Sequence, residues 1–201
     1  MLFLFDKQYY DKGFNFVAGV DEAGRGPLAG PVAAAAVIFP KDINLSGIND
    51  SKKLTRKKRE TLFEEIKEKA LSFSIAVIDN KIIDEINILQ ATFRAMSEAV
   101  SGLKIKPDLC LIDGNHKIPG LNFAQEAVIG GDAKSACIAA ASILAKVTRD
   151  KIMDDYAKQY PQYSFEKHKG YGTKTHIEAI KKFGASPIHR MTFAPINNGR
   201  E

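Results

Sequence analysis

The sequence predicts an α/β fold in which helices flank a mixed, five-stranded sheet. Three predicted strands fall within the first 78 residues, whereas strands and helices alternate further along the chain. A uniformly parallel, doubly wound sheet would alternate from the start, so the sheet is expected to be mixed. Residues 160–198 contain a helical pattern and no strand pattern, which predicts a helical C-terminal portion.

Four elements are predicted in the first half of the chain: a strand at 16–20, a strand at 31–39, a helix at 55–70 and a strand at 72–78. The first strand ends in acidic residues and a glycine-rich turn. The helix places Leu62, Phe63 and Ile66 on one face, with Thr55 as a plausible N-cap. The third strand follows from alternating polarity.

Five elements are predicted in the second half: a helix at 87–100, strands at 109–112 and 127–129, and helices at 133–160 and 175–183. Pro107 precedes the first of these strands and an Asp-Gly pair ends it. The long alanine-rich helix stops before Pro161, and Gly184 is the expected stop of the last helix.

The composition is that of one globular domain. The 201 residues are 45% hydrophobic and 26% charged, enough for one core and too little for two generous ones. We therefore expect residues 1–201 to form a single domain. The net charge of +5 favours a polyanionic partner, although charge alone does not identify one.

The sequence predicts neither secretion nor membrane insertion. The apolar residues 1–5 are broken by Asp6 and Lys7 and lack a cleavage-like site. No apolar run reaches the roughly 18 residues that a membrane span needs. Cys110 and Cys137 lie among apolar neighbours and are interpreted as buried thiols. We expect a cytoplasmic monomer without a membrane partner.

Four acidic residues stand at the ends of predicted elements, where functional sites gather. Asp21 and Glu22 follow the first strand, Asp113 follows the fourth, and Asp132 precedes the long helix. If they converge, their repulsion would require a divalent cation, and oxygen-only ligands favour Mg²⁺ or Mn²⁺. The alternatives are a turn at Asp113 and an N-cap at Asp132.

The segment Gly-Arg-Gly at 24–26 superficially resembles a dinucleotide-binding loop. Ala29 occupies the third glycine position of that motif, and Pro27 and Pro31 disfavour the helix that it needs. A flexible turn between two strands is the remaining simple interpretation. It does not explain Arg25.

Several longer segments together resemble one family. They are VDEAGRGPLAGPV at 20–32, DSKKL at 50–54, LIDG at 111–114, GGDAK at 130–134, AASILAKVTRD at 140–150, HKGYGT at 168–173 and HRMTF at 189–193. In this order and over nearly the whole chain, they resemble type 2 ribonuclease H, or ribonuclease HII.

The resemblance implies a ribonuclease H-like fold with Asp21, Glu22, Asp113 and Asp132 at the family's four catalytic, metal-binding positions. It implies an endonuclease that uses Mg²⁺ or Mn²⁺ and water. Its substrates would be the RNA strand of RNA/DNA hybrids and ribonucleotides embedded in duplex DNA, with 5′-phosphate products. The corresponding role is ribonucleotide excision in DNA replication and repair.

The resemblance also implies a substrate-binding surface. Residues Gly24, Arg25 and Gly26 match the loop whose backbone contacts the ribose 2′-hydroxyl, and Tyr171 matches the aromatic that stacks at the RNA/DNA junction. The C-terminal portion, residues 160–198, is expected to help bind substrate. Further candidate substrate contacts are Lys52, Lys53, Ser142, Lys146 and Lys169.

Other basic and histidine residues receive no functional assignment. Residues 56–59 are interpreted as a solvated helix face that pairs with nearby glutamates. His116 and His176 are expected at the surface. His168 and His189 lie inside matched motifs without a predicted role.

Three alternatives remain. Ribonuclease HIII shares the chemistry but carries an additional N-terminal substrate-binding domain, whereas about sixteen residues precede the first strand here. A non-catalytic hybrid-binding module would lack at least one acidic position. A resolvase-like or transposase-like nuclease gives no reason for the 24–26 loop. A replication-clamp partner is conceivable but not indicated, because the polar segment 197–201 offers no docking peptide.

Overall fold

The computed structural model describes residues 2–43, 45–48, 51 and 54–199. Within them lies one five-stranded sheet, whose strands are β1 (Val17–Ala23), β2 (Val32–Ile38), β3 (Ser72–Ile78), β4 (Leu109–Asp113) and β5 (Ala124–Val128). The strand order is β3-β2-β1-β4-β5. β1–β2 and β2–β3 are antiparallel, whereas β1–β4 and β4–β5 are parallel. The predicted mixed, five-stranded sheet is confirmed.

The described residues contain seven α-helices: α1 (Leu2–Asp11), α2 (Arg56–Lys69), α3 (Asn80–Ile86), α4 (Ile88–Ser101), α5 (Ala136–Gln159), α6 (Phe165–His168) and α7 (Lys174–Phe183). Short 3₁₀ turns occupy Gly131–Ala133, Pro161–Tyr163 and Ile196–Gly199. None of the helices in the described part of the chain is both long and apolar enough to cross a bilayer.

Both faces of the central strands are buried. Ala34 and Ala36 of β2 pack in the core that α4 covers, while Ala35 and Val37 pack in the core under α2 and α5. β2 therefore lacks polar alternation. On β1, a Cβ at Gly19 would lie 2.1 Å from the carbonyl carbon of Cys137, so this glycine lets α5 pack closely on the sheet.

Three helices of the structure are missing from the predicted set: α1, α3 and the four-residue α6. The apolar start of α1 has weak helical periodicity, and the helix is held by tertiary contacts. Its buried Asp6 accepts a hydrogen bond from Cys137 N at the start of α5, at 3.0 Å. α3 is only seven residues long and follows β3 directly, with Asp79 as its N-cap. Such a short element leaves little periodicity to detect.

The boundaries of β5 and α5 differ from the prediction. The fifth strand runs from Ala124 to Val128, whereas the prediction placed it at 127–129, because its half-exposed start lacks an apolar run. The long helix begins at Ala136, three residues later than predicted, because a 3₁₀ turn occupies Gly131–Ala133. Ser135 is the N-cap, and its Oγ accepts a hydrogen bond from Ile138 N.

Candidate active site

The acidic residues gather at one edge of the sheet. Asp21 and Glu22 lie on β1, Asp113 ends β4, and the parallel register pairs Val20 with Ile112. Asp21 and Asp113 are therefore the next residues along two neighbouring strands. Asp132 lies in the 3₁₀ turn after β5 and is buried. The edge thus brings together strand ends that are far apart in sequence.

Backbone amides hold two of these carboxylates. Asp21 Oδ1 accepts a hydrogen bond from Glu22 N at 2.7 Å. Asp113 Oδ1 accepts one from Gly131 N at 2.6 Å, which ties β4 to the turn that carries Asp132. The alternative that Asp132 serves as N-cap of the long helix is wrong, because Ser135 has that role.

The carboxylates repel one another in a buried setting. Burial raises the pKa of Asp21 well above its usual value, and the charges of Glu22 and Asp113 raise it further. Burial also raises the pKa of Glu22, although Arg25, 3.4 Å away, opposes the shift. Negative charge at this edge is therefore unfavourable without a neutralising partner.

A divalent cation fits this edge by ligand type. The side chains offer only oxygen donors, which suits Mg²⁺ or Mn²⁺. Among the described residues, no three His, Cys, Asp or Glu side chains already stand together as a metal-binding group. The fit therefore rests on donor chemistry and on the repulsion between Asp21, Glu22 and Asp113, which a cation would relieve.

A cleft of about 310 Å³ joins the carboxylates to the predicted substrate residues. Its lining consists of Asp21, Glu22, Ala23, Gly24, Arg25, Gly26, Ser51, Ser142, Lys146 and Tyr171. The structure thus places the carboxylates of β1, the 24–26 loop and the aromatic of a distant segment in one cavity. Asp113 lines a small neighbouring pocket that it shares with Glu22 and Arg25.

Tyr171 stands at the mouth of the cleft with 44% of its surface exposed. Its Cε1 atom lies 3.7 Å from the position that a Cβ on Gly26 would take. The guanidinium of Arg149 lies 6.0 Å from the ring centroid. The ring is therefore partly exposed beside residues 24–26, the glycine loop, and a stacking residue must be exposed in this way.

Comparisons with known proteins agree on one family. A family model described as ribonuclease HII matches residues 18–196. A ribonuclease HII from Endomicrobium trichonymphae is 68% identical over 197 residues, which cover 98% of this chain and 94% of that protein. The chain belongs to the ribonuclease HII family.

Solved structures show the same fold. The crystal structure of ribonuclease H2 from Pyrococcus horikoshii OT3 matches with a TM-score of 0.76 and 30% identity, over 91% of this chain and 96% of that one. A Bst ribonuclease HIII in complex with Mn²⁺ matches with a TM-score of 0.69 at 17% identity, over 90% of this chain and 68% of that one. The predicted ribonuclease H-like fold is confirmed.

The remaining predicted substrate residues of this ribonuclease HII-family chain occupy different settings. Lys146 lines the cleft and pairs with Asp150 at 2.8 Å. Lys169 forms an ion pair with Asp154 and is largely buried. Lys52 and Lys53 lie outside the described residues.

Ser142 lines the cleft next to Asp21. It is buried, and its Oγ is 2.8 Å from Ser51 Oγ. A hydrogen bond from Ser142 lowers the pKa of Asp21, against the effect of burial. The contact with Asp21 favours a role in orienting that carboxylate, and direct substrate contact stays a prediction.

The expectation of a surface position for His176 is wrong, because its side chain is 0% exposed. His189 Nδ1 accepts a hydrogen bond from Ser186 N at 2.8 Å, so its Nε2 carries the proton and donates to His176 Nε2 at 3.0 Å. His176 Nδ1 then donates to the carbonyl of Tyr171 at 2.9 Å. This chain of hydrogen bonds, the histidine relay, anchors the backbone of Tyr171. His116 is exposed, as expected.

Sequence reasoning missed two buried arginines beneath the glycine loop, Arg149 and Arg190. Arg149 lies on α5, and Arg190 is the next residue after His189 of the histidine relay. Each lies inside a segment that matches the family, at 140–150 and 189–193, and that match was the available signal. Arginine is normally exposed, so nothing local predicted their burial.

Proposed function

We propose that this chain is a divalent-metal-dependent endonuclease that cuts the RNA strand of RNA/DNA hybrids and ribonucleotides embedded in duplex DNA. Membership of the ribonuclease HII family supports a ribonuclease H-type hydrolase. The observation that carries the finer proposal is the shared cleft. It joins buried, mutually repelling carboxylates to a glycine loop and an exposed tyrosine.

Asp21, Glu22, Asp113 and Asp132 are proposed to hold Mg²⁺ or Mn²⁺. When bound, the metal would stabilise charge on the scissile phosphate and activate the attacking water, leaving a 5′-phosphate on the product. The protein's own part is to keep these carboxylates ionised and oriented. The amides of Glu22 and Gly131 support that part by donating to Asp21 and Asp113.

Residues 24–26 are proposed to contact the ribose 2′-hydroxyl through their backbone, since that hydroxyl distinguishes RNA from DNA. Tyr171 is proposed to stack at the RNA/DNA junction, and Lys146 to contact a phosphate. We further propose that residues 1–201 act as one domain, in which the C-terminal portion, 160–198, helps to bind substrate. The position of Tyr171 between α6 and α7 supports this division of roles.

The alternatives are less well supported. The family match is to ribonuclease HII, and the ribonuclease HIII structure is similar at only 17% identity. A non-catalytic hybrid-binding module has no need for four acidic residues, and all four are present. A resolvase-like or transposase-like nuclease of this fold would give no reason for the loop at residues 24–26. We expect the protein to act in the cytoplasm, in ribonucleotide excision during DNA replication and repair.

The test uses purified protein with Mg²⁺ or Mn²⁺ and three labelled duplexes: all DNA, RNA/DNA hybrid, and DNA with one ribonucleotide. We expect cleavage of the second and third, with 5′-phosphate ends, and no cleavage of the first. Replacing the single ribonucleotide by its 2′-deoxy or 2′-O-methyl form should stop cleavage there. Cleavage of the 2′-deoxy duplex at a comparable rate would make the protein a general nuclease, and binding of hybrid without cleavage would make it a binding module.

A further inference from the structure

Two guanidinium groups lie buried beneath the glycine loop, with no acidic partner among the residues that the structure describes. The exposed fraction is 1% for Arg149 and 0% for Arg190. No carboxylate in the described part of the chain forms an ion pair with either residue. Burying an unpaired charge is costly unless hydrogen bonds compensate for the lost water. Within the described residues, every hydrogen bond of the two groups goes to a backbone carbonyl.

Arg190 binds the glycine loop and also the two residues that precede β2. It donates to the carbonyl oxygens of Gly24 at 2.6 Å and Arg25 at 2.9 Å. It also donates to Gly30 at 3.0 Å and Pro31 at 3.1 Å. Four bonds from one planar group fix the carbonyl directions of the loop, in a manner that a single point charge would not.

The carbonyl directions determine where the amides point. In a trans peptide the C=O of one residue and the N–H of the next point in opposite directions. With the Gly24 and Arg25 carbonyls bound to Arg190, the N–H groups of Arg25 and Gly26 point away from it, and both residues line the cleft. Within the described residues, neither amide has an acceptor. These two donors are therefore free for a ligand.

We propose that Arg190 is a positioning residue for ribose recognition, which it performs by holding the amides of Arg25 and Gly26 toward the 2′-hydroxyl. The inference rests on the proposed function, because it assumes that the cleft receives a ribonucleotide. The buried positive charge also polarises the two peptide units that it binds, which strengthens the opposite N–H groups as donors. Neither effect requires Arg190 to touch the substrate.

Arg149 provides a matched control on the same scaffold. It is equally buried, but it donates to the carbonyls of Ala29, Pro31 and Lys169. None of these bonds involves residues 24–26. Arg149 instead joins Ala29 and Pro31 to Lys169, in the segment that carries Tyr171. A purely structural role would make the two arginines equivalent, whereas a positioning role separates them.

The first experiment compares Arg190→Lys with Arg149→Lys. Lysine keeps the charge but loses the planar fork. On a DNA duplex with one ribonucleotide, Arg190→Lys should lower the single-turnover cleavage rate about 100-fold, the loss expected of misplaced catalytic donors. Its affinity for the duplex should remain that of the wild type. Arg149→Lys should lose markedly less rate, even if its melting temperature falls as far. Equal losses that follow the melting temperatures would overturn the inference.

The second experiment needs no arginine variant, so it holds even if Arg190→Lys does not fold. In the cleavage-deficient Asp113→Asn protein, NMR should show fast hydrogen exchange of the Arg25 and Gly26 amides. These amides should become protected on adding the single-ribonucleotide duplex but not the all-DNA duplex. If the wild type cuts the ribonucleotide duplex and the two amides stay unprotected, the inference and the proposed ribose contact of residues 24–26 fail, whereas the proposed nuclease activity stands. If the wild type does not cut it, the proposed function itself fails.

Discussion

At the scale of single residues, the two glycines of the loop differ in what a side chain would meet. Gly24 has a φ of +103°, and a Cβ there would lie 2.2 Å from Arg149 Nε and 2.7 Å from the Pro31 carbonyl oxygen. At Gly26 the nearest atom to an added Cβ is 3.7 Å away, on Tyr171. Gly24 is therefore required by the fold itself, whereas Gly26 is open toward the cleft.

We predict that Gly26→Val abolishes most cleavage at a single ribonucleotide but preserves folding, because the new side chain occupies space that the ribose needs. Gly24→Val should lower the free energy of unfolding by about 1–3 kcal/mol, owing to positive φ and overlap with Arg149. Urea unfolding and gel-based cleavage assays measure the two effects. Normal cleavage by a folded Gly26→Val protein would contradict backbone recognition of the ribose.

Asp113→Asn should abolish cleavage and leave hybrid binding largely intact. The asparagine oxygen can still accept from Gly131 N, so the turn at Asp132 should persist. The substitution removes a charge that raises the pKa of Asp21 and of Glu22. The melting temperature of the metal-free protein near pH 7 should therefore rise, by about 2–4 °C for each kcal/mol gained in the free energy of unfolding.

Calorimetry with and without Mg²⁺ completes the test of Asp113. The metal should raise the melting temperature of the wild type, since ligand binding to the folded state stabilises it. It should raise that of Asp113→Asn much less. Wild-type turnover by the variant at saturating Mg²⁺ would remove Asp113 from the proposed catalytic set.

At the scale of elements, the connection between α6 and α7 is fixed to the rest of the molecule. Leu28 N donates to the Gly170 carbonyl at 2.8 Å, and the histidine relay binds the Tyr171 carbonyl. The backbone of Tyr171 is thus held while its ring remains exposed. Such an arrangement limits the conformational entropy lost when the ring stacks on a ligand.

Tyr171→Ala should slow cleavage at an RNA/DNA junction by roughly ten- to a hundredfold, since stacking on an aromatic is worth about 1–3 kcal/mol. Tyr171→Phe retains the ring and should lose much less. Steady-state kinetics on the single-ribonucleotide duplex distinguishes the three proteins. Equal activity of all three would mean that Tyr171 does not stack on substrate.

The histidine relay predicts a loss of stability in acid. Burial lowers the pKa of His176 and of His189 to about 4, from 6.5 in an exposed histidine. Unfolded chains therefore bind more protons than folded ones between those values. The stability that the two neutral histidines contribute should be complete above about pH 6.5. As the pH falls toward 4, the free energy of unfolding should fall by roughly 2–3 kcal/mol per histidine.

Urea unfolding across this pH range measures the effect. Replacing exposed His116 by Gln should leave the acid dependence unchanged, whereas His176→Gln should flatten it. An identical pH dependence in the wild type and His176→Gln would show that the relay does not determine acid stability.

At the scale of the whole molecule, positive charge is distributed over a chain with a net charge of +5. If the cleft binds a duplex, the logarithm of affinity should fall linearly with the logarithm of salt concentration, through release of counterions. Lys146→Gln should reduce the slope by about one phosphate contact. Lys104 is exposed in the connection before β4, at the sheet end opposite Asp113, so Lys104→Gln should not change the slope. Fluorescence anisotropy tests this, and equal slopes for both variants would exclude Lys146 as a phosphate contact.

The sequence by itself determined the fold class and the family, and it predicted the four acidic positions of the proposed site. Strand and helix periodicity, glycines and prolines indicated the fold class, whereas the family followed from the resemblance of several motifs along the chain. The boundaries of β5 and α5, and the existence of α1 and α3, depended on packing against other elements. Local patterns record such packing weakly, because the stabilising contacts come from distant parts of the chain.

Only the tertiary structure decided which buried side chains hold the site in place. Arg190 binds carbonyls about 160 residues away in sequence, and His176 is buried although no other residue of its helix is fully buried. In the described part of the chain, no hydrogen-bond partner of the Arg190 side chain lies within a few residues of it, and His189, one of the two partners of His176, is 13 residues away. The compensation comes from the Gly24–Pro31 carbonyls for Arg190, and from His189 and the Tyr171 carbonyl for His176. A charged or polar side chain becomes a core residue only when the fold supplies its hydrogen-bond partners.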